Sequence, residues 1–85
     1  MTALERHQDQ KGEPLYVLAA RLGIAPTTVY KMVGRNYHPR RDGEYSIAYP
    51  ALRTVSDDTG IPVDTLFEEA QRAAQTRKEH TNGET

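Results

Sequence analysis

The sequence predicts an all-α domain of five short helices. Apolar residues recur at helical spacing through most of the chain. Glycines and prolines divide it into five segments of helical length, at Gly12, Pro14, Gly23, Pro26, Gly34, Pro50 and Gly60. We expect residues 1–72 to form the domain. Residues 73–85 have no large apolar side chain, so we expect a polar tail that is frayed or disordered.

The first two helices are bounded by recognisable caps. The first covers residues 2–11, with Thr2 as N-cap and Gly12 as its stop. The second has Pro14 in its first turn, where a missing N–H is tolerated, and ends at Gly23 in a left-handed turn. Its apolar face is expected to hold Val17, Leu18, Leu22 and, in part, Ala20.

The third helix is predicted at residues 26–33, from Pro26 to the stop at Gly34. Residues 35–49 then contain a proline, an Asp-Gly turn signal and three tyrosines. We expect a long, partly extended loop, and a β-hairpin with the Asp-Gly pair at its tip is the alternative. Long loops in compact domains are often functional.

The last two helices follow from the same signals. Pro50 starts the fourth, which points Leu52 and Val55 inward and ends at Gly60. The fifth starts near Val63, and its packing stripe is Leu66, Phe67 and Ala70.

Composition excludes several classes of protein. The chain has 85 residues and no cysteine, so it has neither disulfides nor a thiolate zinc site. No apolar run has the roughly 18 residues of a membrane span, and the polar N-terminus lacks a secretory h-region, which predicts a cytoplasmic protein. His7, His38 and His80 are too scattered for a metal site. No nucleophile motif or phosphate loop appears, so we expect neither an enzyme nor a cofactor.

Charge is distributed unevenly, although the net charge is only −1. Residues 21–53 carry six lysines and arginines against two acids, whereas residues 54–85 carry three against seven. Because attraction to phosphates depends on the local field, a basic middle region is compatible with nucleic-acid binding. The alternative is ordinary scatter of surface charge.

Two stretches of sequence resemble the lambda-repressor-like (Xre/Cro) helix-turn-helix family. LAARLGIAPTTVYKMV has a small Ala19 where two helices must approach, Gly23 at the turn, and Val29 and Met32 facing inward. RTVSDDTGIPVDTLFEE resembles the family's last two helices. The resemblance covers about residues 3–70 and implies a five-helix DNA-binding domain whose third helix enters the major groove. Leu15 replaces a frequent family glutamine, and the connection between helices 3 and 4 is longer than usual.

The resemblance implies a sequence-specific transcription regulator of bacterial or phage type, a repressor that acts by occupying its operator on double-stranded DNA and is therefore nucleoid-associated. A homodimer on an inverted repeat is expected, and a monomer with an extra arm is the alternative. No small-molecule ligand or membrane partner is expected. A protein-interaction module, such as an antitoxin or a polymerase adaptor, could use the same scaffold through its acidic C-terminal third.

Three groups of residues are candidates for these contacts. Base contacts are expected from the outward side chains of the third helix, Pro26, Thr27, Thr28, Tyr30 and Lys31. Backbone or arm contacts are expected from Arg21 and from the basic segment, residues 35–41, through Arg35, Asn36, Tyr37, His38, Arg40 and Arg41. The expected dimer interface is Leu66, Phe67 and Ala70. Arg53 is expected to pair with Asp57 rather than with DNA, and the Asp57-Asp58 pair to lie on a solvated face.

Overall fold

The computed structural model describes residues 1–35 and 46–84. These residues form five α-helices and no strand: α1 (Ala3–Lys11), α2 (Leu15–Leu22), α3 (Pro26–Lys31), α4 (Tyr49–Thr59) and α5 (Val63–Glu84). The all-α class is therefore confirmed for the described part of the chain. The loop or hairpin expected between helices 3 and 4 falls largely on residues 36–45, which lie outside the described residues.

Helix α1 is closed at both ends as the sequence predicts. Thr2 is the N-cap: its hydroxyl accepts a hydrogen bond from the Glu5 backbone N–H at 3.1 Å. The Glu5 carboxylate accepts one from the Thr2 N–H at 2.9 Å, which completes a capping box. The helix ends at Lys11, and Gly12 is its C-cap. A second carboxylate, from Glu69 on α5, accepts from the Ala3 N–H and ties the start of α1 to the last helix.

Helix α2 differs from the prediction in two respects. Pro14 is not in the first turn but at the N-cap, with extended backbone angles of φ −62° and ψ 153°. The apolar face also turns differently, because Val17 and Ala20 are exposed. Leu18 and Leu22 face the core as predicted, and Leu15 and Ala19 join them there.

Helix α3 is shorter than expected. It ends at Lys31, two residues before the predicted end. The next residues tighten into a 3₁₀-type turn, in which the N–H of Met32 and that of Val33 donate three residues back at 3.0 and 3.1 Å. Both side chains stay buried, so the inward face continues beyond the α-helical hydrogen bonds.

Helices α4 and α5 follow the predicted signals. Tyr49 begins α4 one residue before Pro50, and Gly60 caps its end. Helix α5 begins at Val63 and runs through residue 72 to Glu84, and Ala74 within that continuation is only 3% exposed. No helix among the described residues is long and apolar enough to cross a membrane.

One hydrophobic core joins the helices. Its buried members come from all five, and are Leu4, Leu18, Ala19, Val29, Met32, Val33, Leu52, Val55 and Leu66. The predicted inward positions of α4 and α5 are confirmed, because Leu52, Val55, Leu66 and Ala70 are at most 3% exposed. Leu66 and Ala70 are thus buried within the single chain and have no area to offer a second chain, and Phe67 is packed partly against the core.

Candidate nucleic-acid interface

Helices α2 and α3 form a compact pair joined by residues Gly23–Ala25. Gly23 has φ +70°, a left-handed conformation that glycine adopts without steric cost. The N–H of Ile24 donates to the Ala19 carbonyl at 2.9 Å, and that of Gly23 donates to Ala20 at 3.3 Å. This pair of hydrogen bonds is a Schellman motif, which ends α2 and turns the chain towards the start of α3. Ala19 is fully buried beneath the turn. The sequence-based expectations for Ala19 and Gly23 are therefore confirmed.

Helix α3 has a buried side and an outer side. Val29 within the helix, and Met32 and Val33 in the turn that follows it, are at most 1% exposed and pack α3 against the core. Pro26 and Thr27 are exposed, and the remaining candidate side chains are half-buried: Thr28, Tyr30 and Lys31. The five predicted base-contact residues are thus all at least partly accessible, and the opposite side of the helix packs against the core.

The described segments on either side of α3 in the sequence contain no acid over a long stretch, although Glu5, Glu13 and Asp58 from elsewhere in the chain contact two of their arginines. Residues 14–35 and 46–56 contain no aspartate or glutamate, and their four cations are Arg21, Lys31, Arg35 and Arg53. The first turns of α2, α3 and α4 accordingly have no acidic residue, whereas α1 has Glu5 and α5 has Asp64. An approaching anion therefore meets no carboxylate on these described segments.

Arg35, four residues after the end of α3, has a side chain that makes weak contacts with the rest of the chain. Its guanidinium lies 3.9 Å from the Glu5 carboxylate and 6.0 Å from the centre of the Tyr30 ring. Its side chain is 49% exposed, and solvent-exposed contacts at these distances are weak. The other members of the predicted basic segment lie outside the described residues: Asn36, Tyr37, His38, Arg40 and Arg41.

Arg21 has a structural environment that the sequence did not reveal. Its guanidinium donates two hydrogen bonds to Glu13, both at 3.0 Å, and two to Asp58, at 2.8 and 2.9 Å. The resulting clamp ties Glu13, two residues before α2, to Asp58 in the last turn of α4. A phosphate could bind Arg21 only in competition with two carboxylates that it already holds in bidentate geometry.

The clamp changes the acidity of its carboxyl groups. Hydrogen bonds from Arg21, and next from Gln8, lower the pKa of Glu13 from its ordinary value of 4.5 to about 2. The Arg21 hydrogen bonds also lower the pKa of Asp58. Asp58 is exposed near the end of α4, as expected, but it also pairs with Arg21, which lies 37 residues away in the sequence and which the sequence did not indicate. Asp57 does pair with Arg53, at 3.2 Å, as expected.

A shallow cavity of about 450 Å³ opens between the start of α1 and helix α5. Its lining includes two glutamates that already have structural roles, since Glu5 closes the capping box and Glu69 accepts from the Ala3 N–H. Arg6 at its edge donates to the Met1 carbonyl at 2.8 Å. These polar groups are accounted for by contacts within the chain. Among the described residues, no three histidine, aspartate or glutamate side chains cluster as metal ligands would.

No family model, curated protein or solved structure matches this chain significantly. Its function therefore has to be inferred from the placement of its own residues.

Proposed function

We propose that this protein is a sequence-specific, double-stranded DNA-binding transcription regulator of lambda-repressor-like fold, with α3 as its reading helix. The observation that carries the proposal is the two-sided character of α3. Val29 on its inner side, with Met32 and Val33 in the turn that follows, is buried in the core, and polar side chains occupy its outer face. A helix presented in this way, after a three-residue turn from a supporting helix, fits the major groove.

The outer face offers groups suited to base edges. The hydroxyls of Thr27 and Thr28 donate or accept hydrogen bonds, and their methyl groups pack against thymine. The ammonium of Lys31 suits the paired acceptors of guanine. Tyr30 is half-buried, and in this proposal its ring braces the helix while its hydroxyl hydrogen-bonds a phosphate. None of these groups is a strong bidentate reader, so part of the selectivity comes from DNA shape.

Electrostatics supplies most of the affinity in this proposal. The described segments around α3 carry cations and no acid, and Arg35 at its exit is weakly held and exposed. The basic segment continues from Arg35 and adds two arginines, Arg40 and Arg41. Because Arg21 is engaged by Glu13 and Asp58, we assign it to the fold rather than to phosphate.

The acidic C-terminal third gives less support to a protein-interaction module. Three of its acids are used within the chain: Asp57 pairs with Arg53, Asp58 with Arg21, and Glu69 with the Ala3 N–H. The regulator proposal includes repression by occupancy of an operator. It also includes binding as a homodimer to an inverted repeat, through a surface other than the buried Leu66 and Ala70.

Selection of bound duplexes from a random pool at low salt, followed by salt titration of the enriched sequence, tests the proposal. We expect one enriched motif and an affinity that falls steeply with salt, because phosphate contacts release counterions. The motif's symmetry and the measured stoichiometry then distinguish a dimer from a monomer. Failure to enrich any duplex would refute the regulator function.

A further inference from the structure

The last residue of the turn after α3, Gly34, is packed directly against the last helix. Gly34 is buried and has φ +84°. A Cβ at this position would lie 2.6 Å from the Ala73 Cβ and 2.7 Å from the Ala74 backbone nitrogen. Carbon atoms in van der Waals contact ordinarily stand about 3.5–4.0 Å apart, so only glycine fits between this turn and α5.

The same part of α5 also contacts Ile47, which follows residues 36–45 in the sequence. Ala70 and Ala74 are buried, and Ile47 packs against them together with Phe67. We call Ala70, Ala73 and Ala74 the α5 seat. Gly34 and Ile47, which flank the segment outside the described residues, therefore both pack on this seat.

Helix α3 is consequently held at each end by a different helix. At its start, the Gly23–Ala25 turn connects it to α2. At its end, the Arg35 N–H donates to the Tyr30 carbonyl at 2.9 Å and closes the turn that brings Gly34 onto the α5 seat. Because α3 has only six residues, a shift at Gly34 displaces Lys31 and Tyr30 with it.

We propose that Gly34 and the α5 seat are positioning residues that set the pose of α3 on DNA. The inference rests on the proposed DNA-binding function. Side chains that bind specifically must be held to about 0.5 Å, and a helix this short depends on its attachments for that precision. Helix α5 thus determines sequence discrimination through Gly34, without contacting a base itself.

Two matched pairs of variants in the full-length chain test the proposal. Ala73→Val adds bulk beneath Gly34, and Gln75→Val makes the same kind of change at an exposed position of the same helix. Gly34→Ala introduces the steric contact, whereas Gly60→Ala has a similar φ, +81°, with no atom within 4 Å of the added Cβ. Circular dichroism first establishes a temperature at which each variant is folded.

The readout is the ratio of affinities for the selected duplex and for an unrelated duplex. We expect Ala73→Val and Gly34→Ala to lower this ratio about tenfold, the effect of roughly one mismatched base pair, and both controls to leave it unchanged. A purely structural role would reduce the folded fraction and both affinities alike, leaving the ratio intact. If Gly34→Ala does not fold, Ala73→Val and its control decide the question.

The two proposals fail in different ways. If the wild-type chain discriminates between duplexes and Ala73→Val discriminates equally well, the positioning role is refuted while DNA recognition stands. If the wild-type chain binds no duplex, the DNA-binding function is refuted and the positioning role with it.

Discussion

Replacing Gly34 by alanine should destabilise the protein more than the same change at any other left-handed glycine of the described chain. An L-residue in this conformation costs about 1–2 kcal/mol. Forcing a methyl group into a packed interior costs a further 1–3 kcal/mol or so. At Gly34 both costs apply, since the new Cβ would lie 2.6 Å from one carbon and 2.7 Å from a backbone nitrogen of α5. We therefore expect a loss of about 2–5 kcal/mol.

Gly12 and Gly60 provide the matched controls. Their φ values are +76° and +81°, close to the +84° of Gly34, and no atom lies within 4 Å of a Cβ built on either. Their alanine variants should lose only the conformational part, about 1–2 kcal/mol each. Because small domains have about 5–15 kcal/mol of stability in total, all three variants are measurable at low temperature.

Urea denaturation followed by circular dichroism measures these differences. The unfolding free energies of the three variants should fall with urea concentration at the same slope, and Gly34→Ala should unfold at the lowest urea midpoint. Equal losses at Gly34, Gly12 and Gly60 would show that α5 does not press on the turn after α3. That result would remove the structural basis of the α5 seat.

Three further predictions concern the clamp, the turn and the basic segment. The folded-state pKa of Glu13 is lowered from 4.5 to about 2, so its hydrogen bonds to Arg21 stabilise the chain fully above pH 4.5 and are lost as the pH falls towards 2. The difference in unfolding free energy between wild type and Glu13→Gln should therefore shrink between pH 4.5 and pH 2. Ala19→Val should cost about 1–3 kcal/mol by overpacking, against less than about 0.5 kcal/mol for exposed Ala20→Val, in thermal unfolding. Arg40→Ala and Arg41→Ala should weaken all duplexes alike and each flatten the salt dependence of binding by about one unit of slope, measured by fluorescence anisotropy.

Each of these has a distinct contrary outcome. A constant difference between wild type and Glu13→Gln from pH 6 to about 2 would contradict the lowered pKa. Equal effects of the two alanine-to-valine changes would mean that Ala19 is not the close-packed position beneath the turn. Unchanged salt dependence in both arginine variants would exclude the basic segment from phosphate binding.

Signals close together in the sequence predicted most of the helix ends, with the start of α2 and the end of α3 as exceptions. Thr2, Gly12, Gly23 and Gly60 each act through hydrogen bonds to residues a few positions away. The period of apolar residues was less informative in α2, where Val17 is exposed although it is apolar. A short helix with apolar residues on several sides does not specify which face is buried until its neighbours are known.

Contacts between distant residues were not predictable in this way. Asp58 reaches Arg21 across 37 residues, and Glu69 reaches the Ala3 N–H across 66. Gly34 looked like an ordinary helix stop, and nothing near it in the sequence indicates that Ala73 lies against it. Leu66 and Ala70 were equally ambiguous, because an apolar stripe suits a core and a dimer interface alike. Only the packing of the helices shows that these two residues belong to the core.

The most direct test of α3 as the reading helix compares the duplexes selected by variants of its outer face with those selected by wild type. Thr27→Ala and Lys31→Ala alter that face, and Thr76→Ala and Lys11→Ala make the same changes at exposed positions of α5 and α1. The account predicts that the first pair selects motifs altered at a few adjacent base pairs, while the second pair selects the wild-type motif. An unchanged motif from Thr27→Ala and Lys31→Ala would contradict it.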